Sequence, residues 1–368
     1  MKILFFNWRD ITHPQAGGCE LHLHEIAKRI AKMGHDVTLF CSEYENSYQK
    51  ESIDSINIIR RGGKYTVYIH AFFEYMTLRK TNDFDIIIDD INGIPFFTPL
   101  YVKKPKVAIL HHMVKDIFSK ELPILFQPIG YFAEWLIPIV YRKTTFVTVS
   151  KSSKDEMIEA GISEKKIHVI HNGISSDYTA ILDKKTENPT IFYLGRLKEY
   201  KQIDHLIKAI DAIKRKFPDI SLSIAGSGDK EKELRELVKN LQLEKNVIFH
   251  GFINKKKKIE LYQKSWIFIN PSIKEGWGLT IIEANACGTP AISYNVPGLK
   301  ESIKDNYNGL LVHAIDYYQL SEKIIELLEN DDLRNKLSKN ANIWSKNFNW
   351  DKSASDFLDL LENVFKNK

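Results

Sequence analysis

Short apolar runs alternate along the chain with stretches in which apolar residues recur every three or four positions. The runs are typical of buried strands, and the recurring positions are typical of amphipathic helices. In the first half, this pattern predicts a helix through Leu23, Ile26 and Ile30 that ends at Gly34. It also predicts strands at 2–6, 36–40, 56–60, 85–89, 107–110 and 145–149.

The second half repeats this alternation. Strands are predicted at 190–195, 221–226, 246–251, 265–272 and 289–294, with helices at 203–213, at 229–241 and after 279. Two such halves predict an α/β protein with two Rossmann-like, doubly wound parallel-sheet domains that face a central cleft. We place the domains at 1–175 and 176–349. A helix from Trp350 to the end either finishes the second domain or returns to the first.

Composition excludes several classes of protein. The 368 residues are 43% hydrophobic and 27% charged, which is ordinary for a globular chain long enough for two domains. The net charge of +5 is divided as two before residue 173 and three after it, so neither half is a dedicated nucleic-acid-binding domain. Three scattered cysteines, no signal-peptide pattern and no membrane-spanning run predict a cytoplasmic protein.

The segment EGWGLTIIE places Glu275 and Glu283 eight positions apart, with Gly276 and Gly278 between them. The glycines disfavour one continuous helix, so Glu275 is expected in a loop. Thr280 and Glu283 have the spacing of a capping box, which by itself would explain the second glutamate without any function.

Cations and glycines follow the predicted strands of the second half. Gly195 and Arg196 follow one strand, Lys201 precedes a helix, and Gly226-Ser-Gly228 follows the next strand. Helix N-termini and cations at one edge of a sheet favour an anion such as a diphosphate. A carboxylate can accept two ribose hydroxyls, which suits Glu283, and Glu275 could bind hydroxyls of a group joined to the diphosphate. The alternative is that the cations form a solvated surface pair.

Together with Gly288-Thr-Pro290 and Asn306-Tyr-Asn-Gly309, these positions closely resemble glycosyltransferase family 4, the retaining enzymes with the GT-B fold. The two glutamates separated by seven residues are the signature of that family. The likeness covers residues 190–312 and is looser in the first half, where Gly17-Gly18, Ser150 and Asn172-Gly173 agree with family positions.

The resemblance implies a role for each matching residue. Arg196 and Lys201 would neutralise the donor diphosphate, Glu275 would contact the donor sugar, and Glu283 would bind the ribose. A histidine after a strand would lie near the reacting sugar; we favour His111 over His112 because it directly follows the apolar run. The implied catalytic residues are His111, Glu275, Arg196 and Lys201. The implied donor-binding residues are Gly17, Gly18, Gly195, Arg196, Lys201, Gly226, Gly228, Gly251, Phe252, Glu275, Gly276, Gly278, Leu279, Thr280 and Glu283.

The resemblance therefore implies a retaining transferase that moves a sugar from a nucleoside-diphosphate sugar to a glycan or lipid-linked acceptor, without a metal or other cofactor. Cell-surface polysaccharide or glycolipid synthesis is the expected setting. Two rivals remain: a GT-B nucleotide-sugar epimerase or hydrolase, and a non-catalytic nucleotide-binding protein. A dehydrogenase is disfavoured because GSGDKE at 226 lacks the third glycine of a dinucleotide fingerprint.

Three further signals have more than one interpretation. Asp83-Phe-Asp85 has the form of a metal-binding pair, but strand-flanking turn residues explain it better. The run Lys255 to Lys258 is expected to be a solvated helix face or a membrane contact. Aromatic residues mixed with cations at 62–75 and 95–106 indicate either core and rim or an interfacial patch for a lipid-linked acceptor.

Overall fold

The structure is a computed structural model that describes residues 1–113, 127–181 and 184–367. The chain divides into two compact units, one of residues 1–173 with 349–368 and one of residues 174–348. The last helix therefore belongs to the first unit. Within the described ranges, no helix is both long enough and apolar enough to cross a bilayer.

Unit 1 contains an eight-stranded sheet in the order β3-β4-β2-β1-β5-β6-β7-β8. Its strands are β1 Lys2–Phe6, β2 Asp36–Cys41, β3 Lys50–Ile53, β4 Ile56–Arg60, β5 Ile86–Ile91, β6 Lys106–Leu110, β7 Thr145–Thr148 and β8 Ile167–Val169. All neighbours are parallel except β3, which pairs antiparallel with β4. The six strands predicted for this half are confirmed, whereas β3 and β8 were missed because both are short and partly exposed.

The helices of unit 1 cover both faces of this sheet. They are α1 Gly18–Lys32, α2 Val67–Thr81, α3 Gln127–Val140, α4 Lys151–Glu159 and the C-terminal helix α12 Trp350–Lys366. Helices α1 and α12 share a core with one face of the sheet, in which Phe357 of α12 packs with Ile3 and Phe5 of β1. The opposite face packs on α2 through Leu4 and Phe6.

Unit 2 contains a six-stranded parallel sheet in the order β11-β10-β9-β12-β13-β14. Its strands are β9 Thr190–Leu194, β10 Ser221–Ala225, β11 Val247–Gly251, β12 Ile267–Asn270, β13 Ala291–Tyr294 and β14 Gly309–Val312. Its helices are α5 Ile203–Ile213, α6 Glu231–Asn240, α7 Lys255–Lys264, α8 Leu279–Ala286, α9 Leu299–Ser302, α10 Tyr317–Glu329 and α11 Asp331–Ser345. Each parallel connection carries the chain back across the sheet, so the carboxyl ends of the strands meet at one edge.

Candidate active site

Glycines allow the loops at the carboxyl ends of β9 and β10 to touch through their backbones. Gly226 has φ +124°, and a Cβ atom there would lie 1.9 Å from the carbonyl oxygen of Gly195. A Cβ on Gly228 would lie 2.2 Å from the Leu197 carbonyl oxygen. The Leu197 amide also donates to the Ser227 carbonyl over 2.9 Å. These glycines therefore shape the edge of the sheet at which Arg196 and Lys201 stand.

Arg196 and Lys201 both contact Tyr200. An Arg196 Nη atom donates to the Tyr200 hydroxyl over 2.6 Å, and the Lys201 ammonium lies 4.9 Å from the centre of that ring. Arg196 is exposed, whereas Lys201 is buried and donates to Glu275 Oε1. Burial alone would lower the pKa of Lys201, but the Glu275 carboxylate outweighs it, so the pKa is raised and the ammonium stays charged.

Glu275 lies in the loop between β12 and α8, as predicted. Its side chain is 21% exposed, and Asn270 donates to its Oε1 over 3.3 Å. The loop is fixed from two sides. Ile273 donates its amide to the Tyr200 carbonyl over 3.0 Å, and a Cβ on Gly298 would lie only 2.2 Å from the Glu275 carbonyl oxygen. The carboxylate is thus held beside a charged lysine at the edge of the sheet.

The predicted capping box is wrong. Helix α8 begins at Leu279 after Gly278, which has φ +78° and occupies the N-cap position. Thr280 therefore lies one residue inside the helix, where its hydroxyl is 3.5 Å from the Asn270 amide nitrogen. The glycine replaces the threonine as N-cap because only glycine readily adopts this left-handed backbone conformation. Glu283 is consequently free of any capping role.

The Glu283 carboxylate is buried and accepts three hydrogen bonds. Tyr178 and Lys258 each donate to Oε1 over 2.7 Å, and Tyr262 donates to Oε2 over 3.0 Å. A carboxylate oxygen accepts about two hydrogen bonds, so Oε1 is filled and Oε2 has one acceptor position left. Binding of two hydroxyls by Glu283 requires one of these donors to leave, and the lysine side chain is the flexible one.

The lysine run at 255–258 is not simply a solvated face, which corrects that interpretation. Lys258 pairs with Glu283, Lys255 pairs with Asp177, and Lys257 lies 3.2 Å from a Glu260 oxygen. Lys258 also lies 5.2 Å from the centre of the Tyr178 ring. The run thus contributes one cation directly to a predicted site residue.

Gly251 and Phe252 stand at the end of β11. Gly251 has φ +62°, and its carbonyl accepts from the Gly226 amide over 2.8 Å, which joins it to the same sheet edge. Phe252 exposes 86% of its surface. A ring so exposed on a globular protein is available to stack on a planar ligand.

In unit 1, the exposed pair Gly17-Gly18 forms the N-terminus of α1, with Gly17 as N-cap. Glu20 fixes this turn, since its Oε2 accepts from the Gly17 amide over 2.7 Å. Its Oε1 accepts from Arg9 over 3.0 Å and from Asn92 over 2.8 Å. The remaining amides of the first turn are oriented for an anion, and Glu20 and Arg9 hold them in place.

His111 follows β6 directly and is buried. Its Nε2 lies 3.3 Å from Oδ1 of Asp90, which is fully buried on the neighbouring strand β5. Burial opposes the charged imidazolium, but Cys19 and Asp90 beside it hold the pKa of His111 well above its usual value. The structure thus gives His111, the histidine that we favoured, a carboxylate partner.

A second histidine lies against the first. The rings of His22 and His111 meet edge to face with centroids 5.0 Å apart, and His22 Nδ1 is 2.7 Å from the Asn172 side-chain oxygen. Burial, followed by the neighbouring His111, lowers the pKa of His22 to about 3. His22 is therefore neutral, and Asn172 fixes its Nδ1.

Two family models cover most of the chain. Residues 16–178 match the model for Glycosyltransferase Family 4, and residues 175–344 match the model for Glycosyl transferases group 1. An uncharacterized glycosyltransferase of Haemophilus influenzae is 32% identical over 94% of this chain and 96% of its own. The chain belongs to the group 1 glycosyltransferases.

Solved structures share the fold of this glycosyltransferase. An Anabaena protein, HepE, in complex with UDP and glucose superposes with a TM-score of 0.78 at 19% identity and covers 99% of this chain and 100% of its own. WaaG, described as a glycosyltransferase involved in lipopolysaccharide biosynthesis, gives a TM-score of 0.80 at 16% identity over 98% and 99%. The predicted GT-B class with two Rossmann-like domains is confirmed.

Several residues that contact the predicted site residues of either unit were missed from sequence. They are Asn270, which joins Glu275 to Thr280; Lys258 and the two tyrosines at Glu283; and Glu20 and Asp90 in unit 1. Two had a usable signal. Glu20 stands three residues after a glycine N-cap, and Asp90 interrupts the apolar strand DIIIDDI.

The aspartates at 83 and 85 flank β5, as the turn interpretation predicted. Asp85 accepts from the Lys2 amide over 2.7 Å, and Asp83 pairs with Lys104. Among the described residues, no group of three or more histidine, cysteine or acidic side chains is arranged to hold a metal ion. Both aspartates have structural partners at the edge of the sheet.

Proposed function

We propose that this glycosyltransferase takes its sugar from a nucleoside-diphosphate sugar bound at the carboxyl edge of the unit 2 sheet. The observation that carries the proposal is the pairing of buried Lys201 with Glu275. Lys201 directly follows Tyr200, whose hydroxyl accepts a hydrogen bond from the exposed Arg196. The diphosphate would replace Glu275 as a partner of Lys201, and Glu275 would then be released to accept sugar hydroxyls. The UDP and glucose bound by HepE are consistent with such a donor.

The charges present suit departure of the nucleotide. The bond from the anomeric carbon to the diphosphate oxygen breaks with its electron pair on the diphosphate, while the acceptor hydroxyl oxygen forms the new bond and releases its proton. Arg196, Lys201 and the α8 N-terminus would stabilise the developing negative charge, and one such preorganised donor contributes about 3–4 kcal/mol. Because the protein supplies these cations itself, we propose a metal-independent reaction.

We further propose that Glu283 binds the donor ribose by exchanging Lys258 for a hydroxyl. Tyr178 and Tyr262 would keep their hydrogen bonds, and the departing ammonium would leave Oε1 one acceptor position. Oε1 and Oε2 would then each have one open acceptor position, so the carboxylate could accept two adjacent ribose hydroxyls.

We also propose that the reaction retains the configuration of the anomeric carbon, by front-face attack or double displacement. The proposed location of the protein is the cytoplasm. For the acceptor we propose a glycan or lipid-linked glycan of the cell surface, reached through peripheral contact with a membrane. The described role of WaaG in lipopolysaccharide biosynthesis supports this choice.

Product analysis tests the reaction class. The protein, treated with EDTA, is incubated with each nucleotide sugar in the presence and absence of lipid-linked glycan acceptors, and products are analysed by mass spectrometry and NMR. We expect acceptor-dependent release of nucleoside diphosphate and a product with the donor's anomeric configuration. An altered nucleotide sugar or acceptor-independent release of free sugar would indicate the epimerase or hydrolase. Binding without turnover would indicate a non-catalytic protein.

A further inference from the structure

Helix α3 has the reverse of the usual distribution of apolar and charged side chains on a surface helix. Its single charged residue, Glu134, is buried, while Ile129, Phe132, Trp135 and Ile139 point outward with half or more of their surface exposed. The Phe132 and Trp135 rings stack with centroids 5.8 Å apart. Isolated exposed apolar residues are common, but a row along one helix marks an interaction surface.

Helix α2 and the turn at 98–100 extend this apolar character. Ile69 and Phe73 of α2 are 62% and 61% exposed, and Leu100 is 71% exposed. The turn adjoins α2, since the rings of Phe72 and Tyr101 are 5.3 Å apart. The described part of the chain thus has a second group of exposed apolar side chains in unit 1.

Both groups lie on the same side of the sheet. In β6, Ala108 and Leu110 pack with the α3 core, while Val107 and Ile109 pack with the core under α1 and α12. In β1, Leu4 and Phe6 likewise face α2 and not α1. Because side chains alternate between the faces of a sheet, α2 and α3 cover one face and α1 and α12 cover the other.

The charges among these apolar residues have one sign. In the segments 64–81, 98–104 and 127–143, all of which are described, every exposed charged residue is a cation. These cations are Lys64, Arg79, Lys80, Lys103, Arg142 and Lys143. The acids within these segments are Glu134, which is buried, and Glu74, which lies 3.8 Å from Arg61. Asp83, just beyond α2, is exposed and pairs with Lys104.

We infer that the outer face of α2 and α3, named here the aromatic face, docks on an anionic lipid surface. Tryptophan and phenylalanine fit the boundary between headgroups and acyl chains, and a rim in which exposed cations outnumber exposed acids complements anionic headgroups. This inference rests on the proposed membrane contact and assigns the surface that makes it. The cations favour lipid over a second copy of the chain, which would bring an equally positive face.

Vesicle sedimentation tests the aromatic face without any donor or acceptor. The full chain is mixed with phosphatidylcholine vesicles with and without phosphatidylglycerol, and bound protein is measured. We expect binding only with phosphatidylglycerol. Phe132→Ser with Trp135→Ser should reduce partitioning about tenfold or more. Arg142→Gln and Lys143→Gln should each reduce it about fivefold and flatten its salt dependence. The control is Ile343→Ser on α11, which removes an equally exposed aliphatic residue and should change nothing.

Sedimentation velocity and nucleotide titration of the same variants complete the test. Equal binding to both vesicle types, or unchanged binding by the double serine variant, would overturn the inference. So would a dimer that the double variant dissociates without any vesicle binding. Nucleoside diphosphate affinity should be the same in all variants. If no nucleotide binds but the vesicle results hold, the donor assignment has failed while the membrane surface stands.

Discussion

The two units position their polar groups by different means. In unit 2, Glu275 and Glu283 are each paired with a lysine side chain, Glu275 from the loop after β12 and Glu283 from helix α8. In unit 1, Glu20 and His111 are held by Arg9 and by Asp90, which are buried. One member of each unit 2 pair keeps about a fifth of its side chain exposed, Glu275 with 21% and Lys258 with 20%, whereas both members of each unit 1 pair are less than 10% exposed. A partly exposed pair is opened for a ligand at lower cost than a fully buried one. The unit 2 pairs are therefore suited to exchange of a lysine for a ligand, whereas the unit 1 pairs hold their side chains in fixed positions.

The largest effect should come from breaking a fixed pair. Glu20→Gln removes the charge beside Arg9 and replaces one oxygen with an NH2 group that faces the Gly17 amide or the guanidinium. We expect the free energy of unfolding to fall by about 3–5 kcal/mol, measured by urea denaturation. Glu362→Gln on α12 of the same unit removes an exposed partner of Lys366 and should cost about 1 kcal/mol or less. Equal losses would refute the contrast between the units.

Lys201→Met should change catalysis more than stability. The substitution keeps the length of the side chain but removes the charge that Glu275 and the proposed diphosphate share. We expect kcat/KM to fall by about 10²–10³, equivalent to about 2.7–4 kcal/mol. The control is Lys208→Met on α5, which removes a partner of Asp204. Normal turnover by the Lys201 variant would exclude its role at the leaving group.

Glu283→Gln should weaken nucleotide binding. Loss of hydrogen bonds to a charged acceptor reduces affinity by about 10–100-fold. Calorimetry with nucleoside diphosphates measures this effect, and Glu260→Gln on α7 is the control because it alters only surface pairs. If the two variants have the same Kd, the Glu283 carboxylate does not bind the nucleotide and only accepts hydrogen bonds from its tyrosine partners.

Lys258→Met tests the exchange itself. If the ammonium competes with a ribose hydroxyl, its removal should strengthen binding of a ribonucleoside diphosphate by roughly threefold to tenfold. Binding of the matching 2′-deoxy compound should change less, so the ratio of the two Kd values is the measurement. Equal weakening of both ligands would mean that Lys258 contacts the nucleotide directly.

The last effect is a dependence of stability on pH. The pKa of His22 is about 3 in the folded protein and about 6.5 when unfolded, so the unfolded chain binds the extra proton between those values. This histidine therefore lowers the free energy of unfolding as pH falls below 6.5, by up to about 1.4 kcal/mol per pH unit. His22→Asn should remove that slope, and His313→Asn, at an exposed site, should not. Identical slopes for wild type and His22→Asn would contradict the assignment.

Sequence patterns predict local features better than contacts between distant residues. In unit 2, periodicity locates five of the six strands but not β14, and Glu275, Arg196 and Lys201 lie in loops that follow two of the predicted strands. The partners of Glu283 come from 105 and 25 positions away, and only the fold brings them together. The pairing of His111 with Asp90 likewise depends on the register of neighbouring strands. The capping-box error had a local cause: Thr280 and Glu283 have the right spacing, but the positive φ of Gly278 makes that glycine the N-cap, two residues before Thr280.

The central claim is a diphosphate site in unit 2 that works without metal. Calorimetric titration of the EDTA-treated protein with UDP, GDP, ADP, dTDP and NAD tests it most directly, followed by the preferred ligand with Glu283→Gln and Lys201→Met. We predict that one nucleoside diphosphate binds and that both substitutions weaken its binding. Absence of binding without metal, or a Kd unaffected by both substitutions, would contradict the account.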